Sequence, residues 1–588
     1  MKLSAQTRFA IGTDGSKRFS ERGHICRAFR FDSLMAMLAL LLILPTSTML
    51  LAHEKAVEGG NDSNTESRVE QINQMFASSW SEFSLKPSEP APDSKWCRRV
   101  FLDIIGRIPT VQELDAYTSS RESDKREKLV KMLLYDDLYT EEYARNWTTI
   151  WTNLLIGRTG GTDNQSMISR EGMQKYLRDS FARNKPYDQF VKELVTATGK
   201  TTPGEDDFNG ATNFLIDKVN DENAAQATAA TSKLFLGLQV QCTQCHNHPF
   251  NEWKQQKYWE FNAFFRQVRA FRGGMRGSMA AATLADQDFR GEGPSSLDAA
   301  AVFYSLRNER VKAAYPVFVD GTEISQSGYV NICNRRAELG QLIVDSPFFD
   351  KAIVNRMWGH FLGYGFTQPV DDLGPHNVPS HPAMLDYLAT QVRAAEFDLR
   401  QLITWITLSQ PYALSSQRTR NNEKDDPLLG ESPRFSHFYL RQMRAEELYE
   451  SLLVATEAKG QGTYEEQERR KNMWLRQFSQ AFATDEGDET TTFNGSIPQV
   501  LMMFNGDLIK TATSGEPGGM IDRLASEPKM KYDQKVDYLF KAGLSRKANR
   551  DESRVAGQFL IARENNVKEA LKDVWWVVLN SNEFIFNH

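Results

Sequence analysis

Between Val240 and Pro249 the chain gathers two thiols and two imidazoles, in the order Val240-Gln241-Cys242-Thr243-Gln244-Cys245-His246-Asn247-His248-Pro249. Cys-x-x-Cys-His is the spacing of covalent haem c attachment: both thiols become thioethers to the haem vinyl groups, and the adjoining histidine ligates the iron. Cys242, Cys245 and His246 take those roles. Two other chemistries use the same residue types. Cys242 and Cys245 could close a disulfide, or they could join His246 or His248 as zinc ligands, a set that needs a fourth donor. No spacing selects a second axial ligand for haem, since Met275 and Met279 lie in a Gly-rich stretch and His360, His376, His381 and His437 are distant in sequence.

A second group of polar side chains follows in the second half: Asn355, Arg356 and His360, then Asp371, Asp372, His376 and His381. Paired carboxylates with imidazoles suit hard-metal binding or acid–base chemistry, so Asp371, Asp372, His376 and His381 are the candidate catalytic residues of a metal-dependent hydrolase. The structural alternative is that Asp371-Asp372 before Leu-Gly-Pro caps a turn, Ser380-His381-Pro382 starts a helix, and Arg356 bridges buried carboxylates. No Gly-x-Ser-x-Gly elbow, phosphate loop or His-Glu-x-x-His occurs in the chain.

These groups must be held by a large scaffold, because 588 residues exceed one ordinary core. The net charge of −6 and the lack of a long basic block argue against a nucleic-acid partner. The N-terminus differs in kind: Lys2, Arg8, Lys17, Arg18, Arg22, Arg27 and Arg30 precede an apolar run from Leu34 to Leu44. That is the pattern of an export signal, or of a membrane anchor if it is retained, and it directs the body to the periplasm or cell surface. Outside the leader the cysteines are Cys97, Cys242, Cys245 and Cys333. With haem on the central two, Cys97 and Cys333 are left to pair in an oxidising compartment.

Periodicity predicts a mainly α chain. Val69, Ile72, Phe76, Trp80 and Phe83 mark one helical stripe, and Trp96 to Ile104 another that Gly106 ends. Thr110 with Glu113 forms a capping box, and Thr140 is expected to cap the helix carrying Tyr143, Trp147 and Trp151. Helices are expected over 167–181, 187–195 and 223–238, the last delivering the thiols at its end, and again around Tyr258 to Val268. Arg272 to Ala301, rich in Gly, Ala and Ser, reads as a linker, and Asp320-Gly321 as a small hairpin turn. Helices resume at 335–344, from Pro347, after a cap at Ser380, and at 399–409, 445–455, 465–482, 498–509, 534–542 and 567–579.

The sequence around the thiols, Leu236-Gly237-Leu238-Gln239-Val240-Gln241-Cys242 through His248-Pro249-Phe250 with Trp253, Tyr258-Trp259 and Phe264-Phe265, resembles the planctomycete cytochrome-like (PSCyt-type) domain of unknown function. Asp103, Gly106, Pro109-Thr110 and Glu113 resemble that domain's opening segment. Asn355 to Phe361, Pro369-Val370-Asp371-Asp372, Pro379-Ser380-His381-Pro382 and the ending Leu579 to His588 resemble the PSD-type domain that follows it in such proteins. The resemblance implies an exported envelope protein and does not by itself imply a reaction.

The expected architecture is therefore two helical domains joined by a Gly/Ala-rich linker, with a minor β-hairpin. The boundaries are 1–52 for the leader, 53–67 for a polar spacer, 68–270 for the PSCyt-like domain, 271–330 for the linker and hairpin, and 331–588 for the PSD-like domain. The leading functional expectation is a c-type haem protein passing electrons to a redox partner or envelope protein. The alternatives are a non-redox envelope scaffold braced at its Cys-x-x-Cys by a disulfide or zinc, and the hydrolase above.

Overall fold

The stripe Ile72, Phe76, Trp80 becomes the buried face of a helix, Asp62–Glu82, whose three apolar side chains are at most 3% exposed. In this computed structural model the described residues are 62–163, 165–220, 223–248, 253–273, 282–458, 463–482 and 513–588. The expected leader, Met275, Met279 and the expected helix over 498–509 fall outside them. Among the described residues no helix is long and apolar enough to cross a membrane.

The protein is mainly α with minor β. The helix Asp93–Ile105 ends on Gly106 in the left-handed region (φ 77°), and Thr110 with Glu113 forms the expected capping box. The next expected cap is corrected by one turn. Asp136, not Thr140, accepts the N–H of Leu138 and starts the helix Asp137–Ile156, and Thr140 bonds back to the Asp136 carbonyl. The cap expected at Ser380 is also corrected: its hydroxyl meets the His381 ring at 3.0 Å, and Pro382–Ala394 begins without a side-chain cap. Proline at the first helical position leaves one fewer unpaired N–H at that end, and its fixed φ suits the helix.

Among the described residues there are three small antiparallel sheets: β1 (Gly199–Lys200), β3 (Thr283–Asp286) and β2 (Val268–Phe271) in that spatial order, β4 (Val302–Ser305) with β5 (Val311–Ala314), and β6 (Arg441–Gln442) with β7 (Phe586–Asn587). The described part of the expected linker is thus folded. β3 is the central strand of its sheet, and Leu284 and Phe289 are buried. Gly, Ala and Ser there conceal short alternation that is too brief to register as a strand. The Asp320-Gly321 turn exists, with Phe318 N–H on the Thr322 carbonyl at 2.8 Å, but it closes only one bridge, Val317 to Glu323.

Residues Ser63–His588 form one compact unit. Among the described residues one apolar core runs from Ile72 to Tyr439, and Phe76 stacks at 5.4 Å on Trp358, which stacks at 4.8 Å on Phe366. A second core, Met443 to Phe584, takes in Leu102 and Ile108 from the first half. Both cores therefore draw on both halves of the sequence.

Candidate functional site

The helix Ala225–Leu236 stops at Gly237, left-handed at φ 62°. Glycine serves twice there: the conformation is strained for an L side chain, and a Cβ would stand 2.8 Å from Leu373 Cδ1. The chain then makes a short 3₁₀ turn, Gln241–Gln244. Cys242 and Cys245 are exposed, and neither is in a disulfide. Beneath them Thr243 is buried and donates its hydroxyl to the Val240 carbonyl at 2.6 Å.

The helix Gln255–Asn262 clamps this turn. The Gln244 carbonyl accepts from Gln255 Nε2 and from Trp259 Nε1, both at 3.1 Å. Gln255 Nε2 also reaches the Ser305 carbonyl at 3.0 Å, and its backbone N–H donates to Asn247 Oδ1 at 3.0 Å. His246 is half-buried, and its Nδ1 lies 2.7 Å from the Asn247 carbonyl oxygen. A carbonyl only accepts, so Nδ1 carries the proton and Nε2 keeps the lone pair.

The second polar group divides into three environments. Asp371 is buried and ties the loop to the first half, accepting from Gln239 Nε2 at 2.8 Å and pairing with Lys233 Nζ at 3.1 Å. Beside it the Leu373 N–H donates to the Gly237 carbonyl at 2.7 Å. Asp372 Oδ2 lies 3.0 Å from His376 Nε2, and its Oδ1 accepts the Gly374 N–H at 3.2 Å. The His376 ring faces His248 with ring centres 5.4 Å apart. His248 and Asp372–His376, 124 positions apart in sequence, thus form one cluster next to the thiols. Burial and the neighbouring His376 and His246 rings lower the His248 pKa, against the pull of Asp372.

His381, the fourth of the candidate catalytic residues, lies apart from the Asp372–His376 pair. It packs 5.0 Å from Phe76 and 5.6 Å from Phe435, with Nε2 at 3.1 Å from Ser79 Oγ, and burial lowers its pKa to about 4. His360 is a core residue as well. Its Nε2 faces the Asp103 carbonyl at 3.2 Å, its ring lies 5.1 Å from Trp147, and burial brings its pKa to about 3. Asn355 holds the loop that carries the aspartates. It donates to Thr367 Oγ1 and the Val370 carbonyl at 2.8 Å and accepts the Phe366 N–H at 2.6 Å. Arg356 runs to the Leu234 carbonyl at 3.4 Å, at the carbonyl end of the helix that leads to the thiols. Cys97 and Cys333, the two thiols that haem attachment would leave to pair, are both buried and unpaired, and burial raises both thiol pKa values.

A cavity of about 400 Å³ lies elsewhere, between the helices Asp137–Ile156 and Ala445–Ala455. Its charged walls are engaged in pairs such as Arg107–Glu142 at 2.7 Å and Lys471–Glu450 at 2.9 Å. Among the described residues no group of three or more His, Cys, Asp or Glu side chains is placed to hold a metal ion. Sequence reasoning missed the Gln255–Trp259 clamp and the pairing of His248 with His376, because each depends on where a separate element docks.

These features define a mainly helical protein in which a thiol–imidazole segment of the first half meets an Asp–His loop of the second through His248 and His376. Residues 71–270 match the family model described as PSCyt2, protein of unknown function (DUF1549), and residues 335–560 match PSD1, protein of unknown function (DUF1553). The chain belongs to the proteins that carry this pair in this order, as its motifs indicated. No curated protein and no solved structure matches it.

Proposed function

We propose that this is an exported c-type haem protein that transfers electrons, with haem held by Cys242, Cys245 and His246. The observation that carries the reading is the turn itself: both thiols are exposed and unbridged, and the Asn247 carbonyl fixes His246 in the tautomer whose Nε2 is open to a metal. Each thiol would add across one vinyl group, sulfur to one carbon and hydrogen to the other, so attachment needs no oxidant. Bound haem c supplies one-electron redox chemistry. The chain's own residues do the positioning: Gln255 and Trp259 fix the turn, and Thr243 anchors its underside. Export rests on the basic and apolar N-terminal leader, and haem c attachment outside the bacterial cytoplasmic membrane agrees with it.

The test is an absorption spectrum with a pyridine haemochrome assay. The protein is exported from a host with cytochrome c maturation, beside Cys242→Ser/Cys245→Ser. A c-type α-band present in the wild type and lost in the double variant is expected. A colourless, folded wild type overturns the reading and leaves the turn as a brace.

A further inference from the structure

The exposed thiol turn has the β4–β5 hairpin as its neighbour. Gln255 Nε2 donates to the Gln244 carbonyl at 3.1 Å and to the Ser305 carbonyl at 3.0 Å, so the end of β4 stands beside the turn. Trp259, which donates to the same Gln244 carbonyl, stacks on Tyr304 at 5.8 Å. Tyr304 is paired across the hairpin with Lys312. Directly opposed residues project from one face of a sheet, so Lys312 leaves β5 on the side that packs on Trp259.

More cations surround this junction. Arg307 and Arg310 lie in the hairpin connection, where the Leu306 N–H meets the Arg310 carbonyl at 2.9 Å. Lys254 precedes the clamping helix Gln255–Asn262, and Lys257, in its first turn, has its ammonium 5.3 Å from the Trp253 ring centre. All five cations are exposed and, among the described residues, none is in an ion pair. By contrast Lys128 has Glu122 at 2.9 Å, and Arg563 has Asp573 at 2.7 Å. Within 254–262 and 305–312 the acids are Glu260 and Glu309. Glu260 accepts from Gln256 Nε2 at 2.7 Å, and Glu309 takes the left-handed position of the turn at φ 62°.

A chain of net charge −6 thus carries an unneutralised basic patch where its two exposed thiols lie. We infer that Lys254, Lys257, Arg307, Arg310 and Lys312 form the docking surface for an acidic electron-transfer protein. The inference rests on the haem reading for what the partner exchanges, and on charge alone for why it binds. Opposite patches steer two proteins into one orientation and raise the association rate. Val311, 61% exposed, is the apolar centre of a patch that is otherwise polar, which suits a small, transient contact rather than a permanent one. In the redox step the partner's reduced centre loses one electron and the ferric iron at Cys242 and Cys245 gains it, with no bond made or broken.

The probe is a plant-type ferredoxin, a small acidic iron–sulfur protein. Oxidised ferredoxin is titrated into the full exported chain by calorimetry. Binding is expected to weaken steadily between about 0.01 M and about 1 M salt, as the Debye length falls from about 30 Å to about 3 Å. Arg307→Gln/Arg310→Gln/Lys312→Gln is expected to lower the affinity at low salt about tenfold and to flatten the salt dependence. Lys547→Gln/Arg550→Gln/Arg554→Gln, which removes the same charge from another surface, retains binding, as does Cys242→Ser/Cys245→Ser. In stopped flow, reduced ferredoxin is expected to reduce the haem with the same dependence on salt and on the hairpin cations. Circular dichroism confirms the fold of each variant. Undiminished binding in the folded hairpin variant overturns the inference, and so does binding to phosphatidylglycerol vesicles in place of ferredoxin. A colourless chain that binds ferredoxin through these cations upholds the surface and overturns the haem reading alone.

Discussion

His360 and His381 are imidazoles placed among rings, and their burial makes the protein acid-sensitive. The folded pKa values are lowered to about 3 and about 4, with burial as the first cause and the nearby Arg444 and Arg434 guanidinium groups adding to it. An unfolded histidine takes up its proton near pH 6.5, so between there and the folded values the unfolded state binds more protons. Stability is therefore full above about pH 6.5 and falls as the pH drops through that window. Each residue costs about 2 kcal/mol between pH 7 and pH 5. His248, His437 and His588 are lowered too and act in the same sense, whereas the raised value of buried Asp103 opposes them. Urea midpoints at pH 7 and pH 5 measure the slope. His360→Gln with His381→Gln is expected to flatten it, and an unchanged slope in the double variant would mean that other groups carry the acid sensitivity.

At the scale of elements, the two motifs meet because a helix ends correctly. Gly237 lets the helix Ala225–Leu236 turn left-handed and brings its carbonyl to Leu373 N–H, which docks the aspartate loop beside the thiols. Gly237→Ala adds backbone strain of about 1–2 kcal/mol and presses on Leu373. The expected result is a lower melting temperature, read by thermal circular dichroism. Asn355→Ala tests the other support of the loop. It strips the partner from the Phe366 N–H and from the Val370 carbonyl, at about 1–3 kcal/mol for the buried group left unpaired. These elements also show what the sequence made legible. Helical stripes, the Thr110–Glu113 capping box and the Gly106 stop were readable because each is set within a few residues. The thiol motif was readable as chemistry. The division of Asp371, Asp372 and His381 among three environments was not, because adjacent aspartates face different segments and a histidine before a helix can point either way. Short strands such as Thr283–Asp286 were hidden for a similar reason: their partners, Gly199–Lys200 and Val268–Phe271, lie elsewhere in the chain.

At the scale of the whole molecule, the first and last motifs of the chain meet around one buried carboxylate. Asp103 is fully buried and accepts from Tyr412 Oη at 2.6 Å, from Asn587 Nδ2 at 2.8 Å, and from the guanidinium of Arg441. Arg441 also pairs with Glu447 at 3.3 Å, whose pKa is held at about 2 by Arg444 and Arg441 despite burial. Asn587 reaches Asp103 because β7 pairs with β6, placing the end of the chain beside the helix Asp93–Ile105. Removing one partner from a buried charged network costs about 3–5 kcal/mol, much more than the loss of a surface ion pair. Deleting residues 586–588 removes β7 and Asn587 together and is expected to lower the stability of the whole body by at least that amount. Because both apolar cores contain residues from both halves, the loss is not confined to the C-terminal helices. Near-ultraviolet dichroism reports tryptophans of both halves, among them Trp147 and Trp575, and far-ultraviolet dichroism reports the helices. Coincident transitions, shifted together to lower urea in the deletion variant, are the expected result, and a separate early transition limited to part of the signal would show that the two halves fold independently.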